Sequence, residues 1–398
     1  MRLLARAVIT TLLLAAAAYA AYRLWGTSVP SDLRLPHLDV HEEFDADVLR
    51  RAESFDAFSR WTLVLSLIAT LAVLIVYARR GVALMKQSAA GPIGTGFLLG
   101  MLGFGLTWLV QLPFQAADYF WGHDHGVIRI GFLEFAFSQW AGLGGTFLRV
   151  CATLLIAMGF ARLTKRWWWV PAAGAFTAVM LLFAFITPYL AGGHRPFRES
   201  LRADAARISA QEGVGNVPLR IENVSDVTTS PNAFAAGLGP SRRVFLWDTL
   251  AGYPRREVRI TLAHEYAHIA KRHIIQGVAW FGLIALAAGL IVMLLTRGRG
   301  GMADPRAVPL ALLVVFVLQL VTAPLQSAVS RRNEAEADWA ALNTTRNPAA
   351  FEALFRHFAD TGLADPDPPG WFHVLFEDHP SGLERIEMAR AWAARANR

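Results

Sequence analysis

A single cysteine, Cys151, among 398 residues excludes any disulfide within the chain, and its one thiol, set in an apolar run, has no chemistry to propose. Charge is scarce as well. Asp, Glu, Lys and Arg make up 17% of the chain against 54% hydrophobic residues, too little for an ordinary soluble protein. Apolar runs of 18 residues or more recur, long enough to cross a bilayer. They hold few ionisable groups at mid-depth, whereas transport paths usually need them. The net charge of +7 does not signal nucleic acid. The basic residues gather at the ends of the apolar runs, where anchoring against anionic lipid accounts for them. The expected partner is therefore the lipid bilayer, with no nucleic acid.

The pattern predicts a mainly α, polytopic membrane protein with about seven spans, near residues 3–25, 61–78, 93–114, 146–163, 168–190, 275–296 and 307–329. The first follows Arg2 and Arg6; a cleaved signal peptide with Ala18-Tyr19-Ala20 as its cleavage-like site is the alternative, but an uncleaved anchor fits the polytopic remainder better. Residues 26–60, acidic and mixed, read as an extramembrane loop. The segment from Phe114 to Ala141, aromatic-rich with Gly122, Gly126 and Gly131, reads as an interfacial or re-entrant loop. From Arg195 the character changes to that of a folded extramembrane unit, with a helix over 200–212 ending at Gly213 and short strands over 218–224, 232–238 and 243–247. The expected division is thus 1–192 for five spans, 193–275 and 330–398 for two parts of an extramembrane domain, and 276–329 for the last two spans.

Within that domain lies Leu262-Ala263-His264-Glu265-Tyr266-Ala267-His268, an H-E-x-x-H pattern on a helix that starts after Pro254. Four residues are about one helical turn, so His264 and His268 project from one face and can share a metal ion. Imidazole nitrogen suits Zn²⁺, and a catalytic zinc keeps three protein ligands and leaves one position to water. Glu265 stands close enough to take a proton from that water. Five letters are not a site until a third ligand is found. His273, nine positions after His264, turns to the opposite face of a continuous helix. The metzincin extension fails, since Lys271 and Ile274 occupy its Gly and His positions. His123 and His125 have no carboxylate helix beside them. The better candidate is the segment Ser330 to Asp338: on a helix, Glu334 and Asp338 share a face, one to ligate and one to hold a ligand from behind, while Glu336 points elsewhere.

H-E-x-x-H, an apolar hairpin, S-R-x-x-E-x-x-A-D, and then His379-Pro380 with Glu384-Arg385 together resemble the integral-membrane CAAX prenyl protease type 1 family of zinc metallopeptidases. Upstream, Asn232 to Gly237 and Val244 to Leu250 resemble that family's N-A-x-x-x-G strand and the I-V-x-x-D-T-L stretch after it. The likeness covers 200–390, and seven spans agree with the family's seven-helix cage. It is faint near Gly126-Val127-Ile128, where the family has G-F-N. The resemblance implies a small α+β zincin-like domain holding one Zn²⁺ per chain through His264, His268 and Glu334. It implies Glu265 as the base, Asp338 orienting a ligand or passing a proton, and His379 and Arg385 stabilising the oxyanion. Asn232 and Ala233 would lie on the edge strand that pairs with an extended peptide or membrane-protein substrate. The competing class is a non-catalytic seven-helix channel, transporter or scaffold with a structural zinc site.

The loops at 79–92, 164–167 and 297–306 carry Arg79, Arg80, Lys86, Lys165, Arg166, Arg297, Arg299 and Arg306. By the positive-inside rule they place the N-terminus in the cytoplasm and the zinc domain outside the cell membrane. The resemblance implies the reverse, and prenylated substrates. The Ala- and Arg-rich composition points instead to a GC-rich bacterial genome and a general or quality-control protease. The sequence leaves oligomeric state open.

Overall fold

The computed structural model describes residues 11, 15–84, 91–196 and 198–397. Among them, six helices are long and apolar enough to cross a membrane: Ala46–Leu84, Gly91–Asp124, Phe132–Trp167, Trp169–Leu190, His273–Arg299 and Pro305–Thr345. Each matches one of the expected spans, 168–190 to within one residue. The remaining expected span, 3–25, falls partly outside the described residues; its described part includes a helix, α1, over 15–24. The chain is a mainly helical, multi-pass membrane protein with one small sheet.

The long helices are α2 (Ala46–Arg80), α3 (Gly91–Asp124), α4 (Phe132–Thr164) and α5 (Trp169–Leu190). α2, α3 and α4, at 33 to 35 residues, are longer than the about 20 that cross a bilayer. Residues 46–60, expected in a loop, form the first turns of α2, where Arg60 is buried in an ion pair with Asp365 at 2.8 Å. The segment Phe114 to Ala141 is likewise no re-entrant loop. It consists of the end of α3, a short turn and the start of α4, and its aromatic rings stack on one another, Tyr119 on Phe135 and Phe120 on Phe132. Aromatic density reflects helix-end packing here rather than loop structure. Just after α3, Arg129 donates its backbone N–H to Val227 and Thr229 donates to Val127, tying this turn to the extramembrane domain.

Inside the bundle, Leu99, Leu154, Met158, Trp168, Met293 and Val308 form a shared apolar core. Close approach of α3 to α4 depends on a missing side chain: a Cβ at Gly100 would lie 2.0 Å from a methyl of Leu154. Leu109, Leu148, Leu182 and Val321 face outward, as lipid contact requires.

The extramembrane domain is built on α6 (Glu199–Gln211) and a three-stranded sheet of β1 (Leu219–Glu222), β2 (Ala233–Ala236) and β3 (Arg243–Trp247). The order is β1-β3-β2: β1 runs parallel to β3, and β2 runs antiparallel to it with Ala233 opposite Leu246. β2 is thus an edge strand. Gly237 ends it at φ 96°, where a Cβ would meet the Ser241 carbonyl oxygen at 2.4 Å, so only glycine fits.

Helix α7 (Arg255–Ala270) packs Val258, Ile260, Leu262 and Tyr266 into the domain core, and the Tyr266 hydroxyl donates to the Val217 carbonyl at 3.1 Å. Helix α8 (His273–Thr296) follows at once, and a short link returns the chain through α9 (Val308–Thr345), 38 residues long. The last expected span and the Glu334 segment are one uninterrupted helix. Its apolar half lies in the bundle, and its last turns, from Glu334 to Leu342, are buried in the extramembrane domain. Helices α10 (Pro348–Thr361), α11 (Gly370–Phe376) and α12 (Gly382–Ala396) close the domain.

Candidate metal centre

The ladder of α7 sets His264 and His268 on one side of the helix, their Nε2 atoms 2.9 Å apart. α9 runs past them and presents Glu334, with Oε2 3.1 Å from His264 Nε2 and Oε1 3.4 Å from His268 Nε2. These three residues form a group whose ligand atoms all lie within 4.8 Å of one another. Tetrahedral zinc with bonds of about 2.0 Å spaces its ligand atoms about 3.3 Å apart. Both the separations and the two-imidazole, one-carboxylate donor set therefore fit that ion.

The carboxylate one turn further along α9 stands behind the first imidazole: Asp338 Oδ1 lies 2.8 Å from His264 Nδ1. Asp338 is 1% exposed, and its second oxygen is buried without a partner. Arg385, from the first turn of α12, reaches both acids, with Nη2 3.2 Å from Glu334 and Nη1 3.3 Å from Asp338, and its guanidinium lies 4.9 Å from the Phe355 ring centre. The structure thus sets Arg385 as a brace between the two carboxylates. His379 lies in the stretch before α12; its Nε2 is 3.4 Å from Glu334 and its Nδ1 2.7 Å from Asp378.

Electrostatics follow from this enclosure. Burial opposes charge on His264, but the Asp338 and Glu334 carboxylates overcome it and raise the ring to about 10. Burial, joined by charge on His264, drives His268 well below its ordinary value. The pair of acids favours one positive charge at this spot and not two. Burial pushes the Glu265 carboxyl up to about 7, against the pull of His264. For His379, burial is outweighed by the Asp378 hydrogen bond and the Glu334 charge, and its value rises.

A cleft of about 420 Å³ opens beside the group. Its lining includes Asn232 and Ala233 at the edge strand, His264, Glu265, Asp338, His379 and Arg385, with Phe355 and Phe358 as an apolar wall. Every residue singled out by the resemblance is therefore in or beside one site. His123 and His125 are not: His125 bonds the Trp121 carbonyl at the end of α3.

One residue was misjudged. His273 does not face away, because α7 ends at Ala270, capped by Lys271, and Arg272 takes a left-handed conformation. That turn brings His273 Nδ1 to 2.9 Å from His268 Nδ1. Glu336 points away from the three-residue group, as its place on the helix predicts, and is buried beside His273. The signal was present, a histidine five residues past the second imidazole, but it reads correctly only if the helix breaks.

Comparisons with known proteins bear on the family and the fold. The profile of peptidase family M48 matches residues 199–393. The chain is 27% identical over 313 residues to the uncharacterized metalloprotease YhfN of Bacillus subtilis, spanning 75% of this chain and 72% of that one. It is 31% identical over 210 residues to a protease HtpX homolog of Streptococcus gordonii, spanning 44% of this chain and 69% of that one. The crystal structure of Ste24p from S. mikatae superposes with a TM-score of 0.72 over 94% of this chain and 96% of that one, at 16% identity, a shared fold. The family resemblance read from the four motifs is borne out: this chain is a membrane metalloprotease and belongs to peptidase family M48.

Proposed function

We propose that the chain is a zinc-dependent membrane endopeptidase in which His264, His268 and Glu334 hold one Zn²⁺ and Glu265 is the general base. The observation that carries the reading is the meeting of three ligand atoms within 4.8 Å against a cleft that also contains Glu265. Zinc, when bound, supplies Lewis acidity, lowering the pKa of water toward neutrality and polarising the scissile carbonyl. The chain's own groups do the rest. Glu265 lines the cleft one residue from the first ligand, a place that suits it to deprotonate the attacking water and to protonate the departing amine. Asp338 holds His264 by its far nitrogen, and Arg385 keeps the two acids in place. His379, oriented by Asp378, is the donor for the developing oxyanion. The outer edge of β2 offers the Ala233 backbone groups to an extended peptide, while the neighbouring Asn232 carbonyl is held by the Trp247 N–H and leaves its side chain for substrate.

For substrate class, we favour membrane-associated polypeptides of broad sequence over a prenylated C-terminal motif, on the composition argument above. The charge asymmetry of the loops favours a cell-membrane location with the site outside, and a reporter fused after Arg398 would overturn that orientation by showing cytoplasmic activity. The 193–275 and 330–398 segments act in this reading as two parts of one catalytic domain, joined through α8 and α9.

The test compares purified wild type with Glu265→Gln for bound zinc and for cleavage of an unfolded membrane-bound peptide. About one zinc per chain in both, with cleavage only by wild type, is the expected result. Equal turnover by the variant removes Glu265 from the mechanism.

A further inference from the structure

His268 has a partner on each side. Its Nε2 faces His264 and Glu334, and its Nδ1 faces His273 Nδ1 at 2.9 Å, with the rings edge to face and 4.9 Å between centres. Two ring nitrogens at that distance require one donor and one acceptor. If Nε2 is the ligand atom, a neutral His268 carries its remaining proton on Nδ1, so His268 donates and His273 accepts. His273 then bears its own proton on Nε2, which lies 3.4 Å from Glu336 Oε2. The other Glu336 oxygen accepts the Ser28 backbone N–H at 2.8 Å and has the Lys271 ammonium at 3.8 Å. His273 and Glu336 are each 5% exposed, so water does not compete for these bonds.

The backbone shows that this contact is built. Arg272 is held at φ 61° and ψ 33°, a conformation that costs a non-glycine residue roughly 1 kcal/mol or more. Without that reversal α7 and α8 would be one helix and the His273 ring would turn away from His268.

We propose that His273 and Glu336 are positioning residues for His268: a buried histidine-carboxylate relay that fixes the tautomer and orientation of the second zinc ligand, with Ser28 tying the segment after α1 into it. The arrangement parallels that at the first ligand, where Asp338 alone stands behind His264. The proposal rests on the zinc reading above. Partners of this kind set ligand geometry, and losing one typically lowers metal affinity 10- to 100-fold.

The experiment uses full-length protein in detergent: wild type, His273→Phe, His273→Gln and Glu336→Gln. Three quantities are read: zinc affinity of the metal-stripped protein against a chromophoric chelator, the visible spectrum after loading with Co²⁺, and the melting temperature without metal. His273→Phe should lose 10- to 100-fold in zinc affinity and shift the cobalt bands. His273→Gln, whose amide oxygen accepts from His268, should recover most of both. Glu336→Gln should show a smaller loss in the same direction. Wild-type zinc affinity in His273→Phe overturns the proposal. So does an equal loss in both His273 variants that tracks a fall in metal-free melting temperature, which would make the residue a packing element only. If His273→Phe does not fold, His273→Gln and Glu336→Gln decide: unchanged affinity and spectrum in Glu336→Gln overturn the relay. A wild type that binds no zinc refutes the functional reading itself, an outcome distinct from all of these.

Discussion

Replacing Asp338 separates holding a metal ligand from doing chemistry. In the native chain, Asp338 Oδ1 receives His264 Nδ1 at 2.8 Å and Arg385 Nη1 at 3.3 Å at a position 1% exposed. Asp338→Ala leaves both donors facing a void. An unsatisfied buried donor costs about 1–3 kcal/mol, and Arg385 keeps its second acid, Glu334, so the metal-free protein should lose a few kcal/mol and remain folded. Zinc affinity should fall 10- to 100-fold, about 1.4–2.8 kcal/mol, because His264 loses the partner that aims it. Asp338→Asn keeps an oxygen toward His264 but loses the charge facing Arg385, so it should retain zinc within about tenfold of wild type. Chelator competition on metal-stripped protein gives the affinities, detergent melting curves give the stabilities, and peptide cleavage at saturating zinc isolates what remains for catalysis. Asp338→Ala that holds zinc as tightly as wild type would refute the reasoning, whatever its activity.

Three further outcomes follow from the structure. Arg60→Met breaks a buried pair with Asp365 that pins the start of α2 to the loop beside the cleft; about 3–5 kcal/mol should be lost in thermal melts, and an unchanged midpoint would show the pair to be idle. Gly237→Ala places a methyl against the Ser241 carbonyl at a left-handed position, so both melting temperature and peptide affinity should fall; wild-type KM would detach the edge strand from substrate binding. At Asp248, burial pushes the carboxyl up, but the Ser225 hydroxyl and the backbone N–H groups of Val224 and Ser225 outweigh it and hold it below 3.8. Its stabilisation is complete above that unfolded value and fades as pH falls through the lower folded one. The melting gap between wild type and Asp248→Asn should therefore be present at pH 6 and close in strong acid; a gap that widens on acidification contradicts the sign.

The sequence made the membrane class legible because length and apolarity alone select a spanning helix. It made the site legible because four motifs fix donor types at helical spacings. The three misreadings came from assuming continuity or its absence where the backbone decided otherwise. Residues 46–60 look acidic and loop-like, yet Leu49 and Ala52 pack inward and Arg60 finds Asp365 more than 300 residues away. Nothing local announces that partner. Phe114 to Ala141 was read from its glycines and rings, whereas ring stacking between α3 and α4 holds both as helices. His273 was placed by counting residues along a helix that in fact stops at Ala270. Long-range partners and a single left-handed residue are tertiary facts, and periodicity does not carry them.

Helix α9 has one more consequence. No loop interrupts the helix between its lipid-embedded half and Glu334, Glu336 and Asp338, so it works as a lever with one arm in the bilayer and the other at the candidate metal centre. Turning that rod by 10° moves a carboxylate oxygen some 6 Å from its axis by about 1 Å, beyond the roughly 0.5 Å that a preorganised constellation tolerates. Bilayer thickness should thus act as a throttle on turnover, visible as an optimum acyl-chain length in reconstituted vesicles. Pro324, ten residues before Glu334, removes one rung of the ladder and is the place where the rod can flex. Turnover indifferent to lipid length would mean that the flexure there absorbs the whole motion.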